Sequence, residues 1–284
     1  MTNMKTSFGS GTVLFIFFGV LSFVVIGVPS ILIAGENSEI VSLFVGQIAI
    51  FLIPALLYAY YAYHDFWNDL GLKKAGKISD HSSFILLYLL TIPLVGFLVD
   101  ISEILPFPEP WVEASKRMEA MLNEIVFGLL SDGTFANLMF TLLVIAVLPA
   151  ICEEIFFRGV VLTNIAKRTG NIHLAVWLSA IFFSAIHFEI LGFLPRILLG
   201  AVLGYSFILT KSLWIPIIIH FLNNGVLVFL YFSYQKNWIG FNPSEITTPV
   251  PIWLVAVCVV AGFVLLRYLL RKGDASIAPT EINH

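Results

Sequence analysis

Eight stretches of the chain, at about residues 12–34, 40–63, 83–104, 135–166, 173–191, 196–210, 213–234 and 250–270, are apolar over close to the length a helix needs to cross a bilayer. That length is about 20 residues for a hydrocarbon layer about 30 Å thick. In lipid, backbone N–H and C=O groups must be satisfied inside the protein, and helices do this within a single segment. The pattern therefore predicts an all-α fold, a polytopic transmembrane helical bundle of about eight spans. The first window follows Lys5 as the core of a signal peptide would. Such a core runs only about 7–15 residues, so an uncleaved span is expected there. The window 135–166 is long enough for a tilted or broken helix, and Pro149 near its middle removes one backbone donor and predicts a kink.

Composition agrees with a membrane setting: 59% of residues are hydrophobic and 12% are charged, against about 25% charged in soluble domains. A net charge of −3 gives no electrostatic footprint for nucleic acid, and that partner class is set aside. Cys152 and Cys258 sit in apolar segments without a CxxC spacing, so neither a disulfide framework nor a thiolate metal site is expected. Cys152 reads as a small packing residue rather than a nucleophile. With the N-terminus inside, ten of the 15 Lys and Arg residues fall in inner segments, four fall outside and Arg158 lies within a span. This bias predicts both termini in the cytoplasm.

Three regions are expected: N-terminal spans with an external loop (1–134), a catalytic core (135–234), and a last span with a polar cytoplasmic tail (235–284). In the external loop, Met118, Met121, Leu122, Ile125 and Leu129 recur at helical spacing among Glu113, Glu119 and Glu124. The pattern suits a helix lying at the membrane interface. A lid that contacts substrate is the alternative.

Against this apolar background the polar groups between Pro149 and Asn224 stand out. An ionisable side chain at membrane depth costs about 2.5–3.5 kcal/mol on insertion scales and is retained where it faces a protein interior or water. Three motifs carry these groups. In Glu153-Glu154-Ile-Phe-Phe-Arg158 the second carboxylate and the guanidinium are four residues apart and can pair, while Glu153 points about 100° away. In Phe183-Ser-Ala-Ile-His187 an aromatic ring precedes an imidazole by one turn. In His220-Phe-Leu-Asn-Asn224 the imidazole and the second carboxamide share a face. Singly, a buried Glu/Arg pair or a lone His on an apolar helix is more often structural than catalytic, and HxxxN alone is a weak pattern that also suits an interhelical hydrogen bond. Together, a carboxylate, two imidazoles and a carboxamide are what amide hydrolysis needs: a proton acceptor for water, a group to position it, and donors for an oxyanion. Glu153, His187 and His220 also make a zinc ligand set, with the fourth position open to water. HExxH is absent.

The order EExxxR, FxxxH, HxxxN in a polytopic membrane protein resembles the CAAX protease and bacteriocin-processing family, intramembrane peptidases that include the Ras-converting enzyme. The likeness runs from about Leu148 to Gly225, and the segment from Gly192 to Trp214, with Gly200 and Gly204, is similar to bacterial members. It implies an intramembrane endopeptidase, either a Zn2+ metalloprotease or a metal-free, glutamate-dependent enzyme. Glu153 and His187 would then activate water, His220 and Asn224 would stabilise the oxyanion, and Glu154 and Arg158 would orient or neutralise the site. The implied substrate is a membrane-anchored peptide or protein, and the implied location a bacterial inner membrane. A non-catalytic member that acts in bacteriocin self-immunity, or binds a membrane partner, is the alternative. A transporter would call for inverted repeats and paired broken helices, and no repeat is present.

Overall fold

The structure, a computed structural model, describes residues 17–22, 24, 26, 38–245 and 250–276. These residues form helices, with no β-strand among them. Six of the helices are long and apolar enough to cross a membrane, so the protein is a polytopic helical bundle. The window 12–34 lies largely outside the described residues. The helices that follow are α1 (38–62), α2 (Phe66–Asp69), α3 (Ile78–Ile104), α4 (Glu109–Leu129), α5 (Phe135–Thr169), α6 (Ile172–Ala185), α7 (Phe193–Thr210), α8 (Trp214–Gln235) and α9 (Ile252–Ser276). Outward-facing positions such as Leu86, Leu89, Val260 and Phe263 are exposed apolar side chains, as a lipid-facing surface requires.

α5 is the central element. It starts where the Thr134 hydroxyl accepts from the Asn137 backbone N–H at 3.2 Å and stops at Gly170, whose φ of 63° is a left-handed cap open to glycine at little cost. Asn171 then caps α6 by accepting from the N–H groups of His173 and Leu174. At 35 residues and 1.5 Å per residue, α5 spans about 52 Å, so it must tilt or project from the bilayer. Pro149 does not break it. The turn just before, Leu143–Val147, widens to π-helical geometry, with the Leu148 N–H donating to the carbonyl of Leu143 five residues back. A second π-helical stretch covers Ile155–Leu162. A third, Gln47–Leu52, precedes Pro54 in α1.

The fifth window, 173–191, is shorter as a helix than its apolar content suggested, because α6 ends at Ala185. Its last carbonyl turn is taken over by a side chain. His187 Nδ1 lies 2.7 Å from the Phe183 carbonyl, the group that the His187 backbone N–H would meet in a continued helix. That N–H bonds Ser184 instead, and Phe188 turns the chain away at a φ of 52°.

α6 and α7 pack at close range through glycines. A Cβ on Gly200 would meet Ala180 Cα at 3.0 Å, and one on Gly204 would meet Val176 at 3.0 Å. Small residues at such a crossing let helix backbones approach. The amphipathic α4 buries Ile125 and Val126, the latter in a satellite cluster with Leu130, Leu138, Val228 and Tyr231. Met118, Met121 and Leu122 remain exposed. The Ser115 hydroxyl of α4 accepts from the Ile190 N–H at 2.7 Å, which ties this helix to the loop that carries His187.

Gly200→Val is expected to overpack the α6–α7 crossing at a cost of about 1–3 kcal/mol, visible as a lower thermal unfolding midpoint in detergent. Gly46→Val, at a position with no neighbour within 4 Å of a Cβ, is the control.

Candidate active site

The EExxxR segment occupies the end of the second α-helical part of α5, Leu148–Glu154, and its second π-helical stretch, where the residues from Cys152 to Val160 are all buried. Arg158 and Glu154 are both 0% exposed. The guanidinium donates through Nη1 to Glu154 Oε1 at 2.8 Å and through Nη2 to the Gly200 carbonyl at 3.0 Å. Its carbon sits 4.9 Å from the centroid of the Phe183 ring. The pairing expected from the four-residue spacing is present, and Gly200 shows why α7 must come so close.

Glu154 has a second partner. His220 Nδ1, on α8, lies 2.8 Å from the same Oε1. A carboxylate only accepts, so Nδ1 carries the proton and Nε2 is the atom left for the site. The same logic applies to His187, whose Nδ1 faces a carbonyl oxygen. Both imidazoles therefore present Nε2. Phe183 stands between them, its centroid 5.0 Å from the His187 ring and 5.9 Å from the His220 ring. The expectation that Phe183 and His187 meet on one face holds for their contact, although His187 lies beyond the helix.

Glu153 is 4% exposed and points away from Glu154, as its position one residue earlier requires. Oε1 accepts from Gln47 Nε2 at 2.9 Å. Oε2 is buried without a protein partner and lies 3.9 Å from His220 Nε2. That gap is too long for a direct hydrogen bond and short enough for one oxygen atom to reach both groups.

Asn224 is oriented by a relay. Its Oδ1 accepts from Asn223 Nδ2 at 3.1 Å, and Asn223 Oδ1 accepts from the Tyr88 hydroxyl at 3.3 Å. One Asn224 N–H then donates to the Ile145 carbonyl at 3.2 Å. That carbonyl lies four residues before Pro149, which has no N–H to offer it. The second Asn224 N–H remains.

The helices thus bring Glu153, Glu154, Arg158 and His220 together directly, His187 through Phe183, and Asn224 along α8. Reading the motifs alone missed Gln47, Tyr88 and Asn223. The signal for Gln47 was a carboxamide inside an otherwise apolar span. As zinc ligands, Glu153, His187 and His220 offer the right donor types, but among the described residues no three His, Cys, Asp or Glu side chains stand together as a ligand set, and Gln47 holds one Glu153 oxygen. Cys152 is a buried free thiol.

Residues 135–226 match the family model described as "Type II CAAX prenyl endopeptidase Rce1-like". A Bacillus subtilis (strain 168) protein named "Putative membrane peptidase YdiL" is 24% identical over 98 residues. The match covers 34% of this chain and 40% of that relative. No solved structure matches the chain.

Breaking the buried pair by Arg158→Met leaves a carboxylate without its countercharge and is expected to cost about 3–5 kcal/mol, read as loss of folded monomer on denaturant titration in detergent. Replacing both partners, Glu154→Leu with Arg158→Met, is expected to recover most of that loss.

The matched segment contains all three motifs and runs from the start of α5 into α8, and over that segment the chain is similar to the CAAX prenyl endopeptidase family.

Proposed function

We propose that this protein is an intramembrane endopeptidase that hydrolyses a peptide bond of a membrane-anchored peptide or protein with Glu153 as general base. The observation that carries the reading is Glu153 Oε2, a buried carboxylate oxygen without a protein partner, 3.9 Å from an imidazole nitrogen. Its neighbour Glu154 is already committed to Arg158 and His220. Two adjacent carboxylates thereby take different work, one holding the scaffold together and one available for chemistry.

Glu153 Oε2 takes a proton from water as the water oxygen attacks the scissile carbonyl carbon. His187 Nε2 accepts the other O–H and aims the water. The carbonyl π electrons move onto oxygen, where the free Asn224 N–H donates to it and His220, its Nδ1–H held by Glu154, donates through Nε2 once it has taken a second proton from solvent. Collapse of this tetrahedral species breaks the C–N bond, and Glu153 returns its proton to the leaving amine. The oxyanion donors are fixed before substrate arrives, His220 by Glu154 and Asn224 by its relay, which is the condition for electrostatic stabilisation.

The basic-residue bias supports cytoplasmic termini, and the family supports a bacterial inner membrane as location. Membrane-tethered peptides suit a protein whose helices lie in the bilayer.

In proteoliposomes with a membrane-tethered peptide library, Glu153→Gln and His187→Ala are each expected to lower cleavage by about 10²–10⁴-fold, and Asn224→Ala by about 10²–10³-fold. Cleavage is expected to ignore chelator. Loss with chelator and return with zinc would overturn the metal-free base, and a cellular phenotype that survives Glu153→Gln would favour partner binding over hydrolysis.

A further inference from the structure

The family match begins at residue 135, yet one contact to the proposed base comes from outside it. Gln47, the first residue of the π-helical stretch in α1, donates from Nε2 to Glu153 Oε1 at 2.9 Å. The direction of this bond is set by chemistry, since the flipped carboxamide would set two acceptors against each other. Ionised Glu153 can only accept, and among the described residues Gln47 is the one whose side chain donates a hydrogen bond to it. With Oε1 tied, the carboxylate cannot rotate freely about its last bond, and Oε2 stays on the side of His220 Nε2.

The carboxamide oxygen adds a second observation. Gln47 Oε1 is buried and has no protein partner, as is Glu153 Oε2. The two hydrogen-bonded side chains therefore carry two buried acceptors without a protein partner.

We infer that Gln47 is a positioning residue of the active site: it holds Glu153 so that Oε2 faces the attacking water, and the first described span thereby completes a site that the matched segment does not contain by itself. The inference rests on Glu153 as the base. Misplacing a reacting group by about 1 Å can cost about 10²-fold in rate, whereas loss of one interhelical polar contact is a small change in stability.

The test compares full-length Gln47→Met, Gln47→His and Glu153→Gln in proteoliposomes on one peptide selected with wild type. Methionine keeps the volume and loses the donor. Histidine keeps an N–H at similar reach. Gln47→Met is expected to lower kcat by about 10–100-fold with KM within about twofold and an unchanged thermal midpoint, and Gln47→His is expected to regain part of it. A wild-type kcat in Gln47→Met, with Glu153→Gln inactive, overturns the Gln47 role alone. Full activity in Glu153→Gln overturns both. A raised KM at unchanged kcat, or a rate loss that follows a lowered midpoint, marks a structural residue and also overturns it. Infrared difference spectra supply a readout free of substrate: the carboxylate band missing from Glu153→Gln is expected to shift in Gln47→Met, and an unmoved band refutes the contact.

Discussion

The guanidinium of Arg158 is the charge around which the interior is arranged. Placed with no exposed surface in an apolar bundle, it needs a countercharge and further acceptors, because an isolated buried ion costs far more than packing returns. Glu154 supplies the charge from the preceding turn, Gly200 a carbonyl from α7, and Phe183 a ring face from α6. Each demand constrains a different helix. α7 comes close to α6 because Gly200 and Gly204 put no side chain of their own into the crossing. Glu154, once held there, positions His220. The ion pair thus links stability to the geometry of a proposed catalytic group.

Backbone groups left over from helix irregularities do much of the remaining positioning. Pro149 cannot donate to Ile145, and the carbonyl so released receives Asn224. Near the second π-helical stretch the carbonyl of Gly159 receives the Tyr63 hydroxyl at 2.6 Å and that of Arg158 receives Thr163 at 3.0 Å. His187 ends its own helix by taking the Phe183 carbonyl. In lipid an unpaired backbone group is costly, so each irregularity must be answered by a side chain. A side chain that answers one is thereby fixed in place. π-helical turns recur at functional sites in other helices, and the stretches Gln47–Leu52, Leu143–Val147 and Ile155–Leu162 lie in α1 and α5, the helices that carry Gln47 and Glu153.

The site also reaches past the three motifs. Gln47 of α1 holds Glu153, Tyr88 of α3 begins the relay to Asn224, and Ser115 of α4 accepts from two successive N–H groups in the loop after His187. None of these three residues belongs to a spacing that could be read along the chain. Each is a single polar side chain whose partner lies on a remote segment.

The sequence by itself determined the fold class, since about 20 apolar residues in a row leave the backbone in lipid little choice but a helix. It also determined the Glu154–Arg158 pair, because four residues on a helix is one turn and buried opposite charges at that spacing meet. It determined which residues carry the polar chemistry, because ionisable groups in an apolar span must be gathered to be tolerated. Tertiary structure alone decided that His220 bonds Glu154 through Nδ1, that α6 ends before His187, that Pro149 is absorbed by a π-helical turn, and that Gln47 and Tyr88 reach the centre. These features depend on where separate helices cross and how they are rotated about their axes. Hydropathy is averaged over a window and carries no information about that rotation; it is set by packing such as the glycine crossing of α6 and α7, and by the need to answer every buried donor and acceptor.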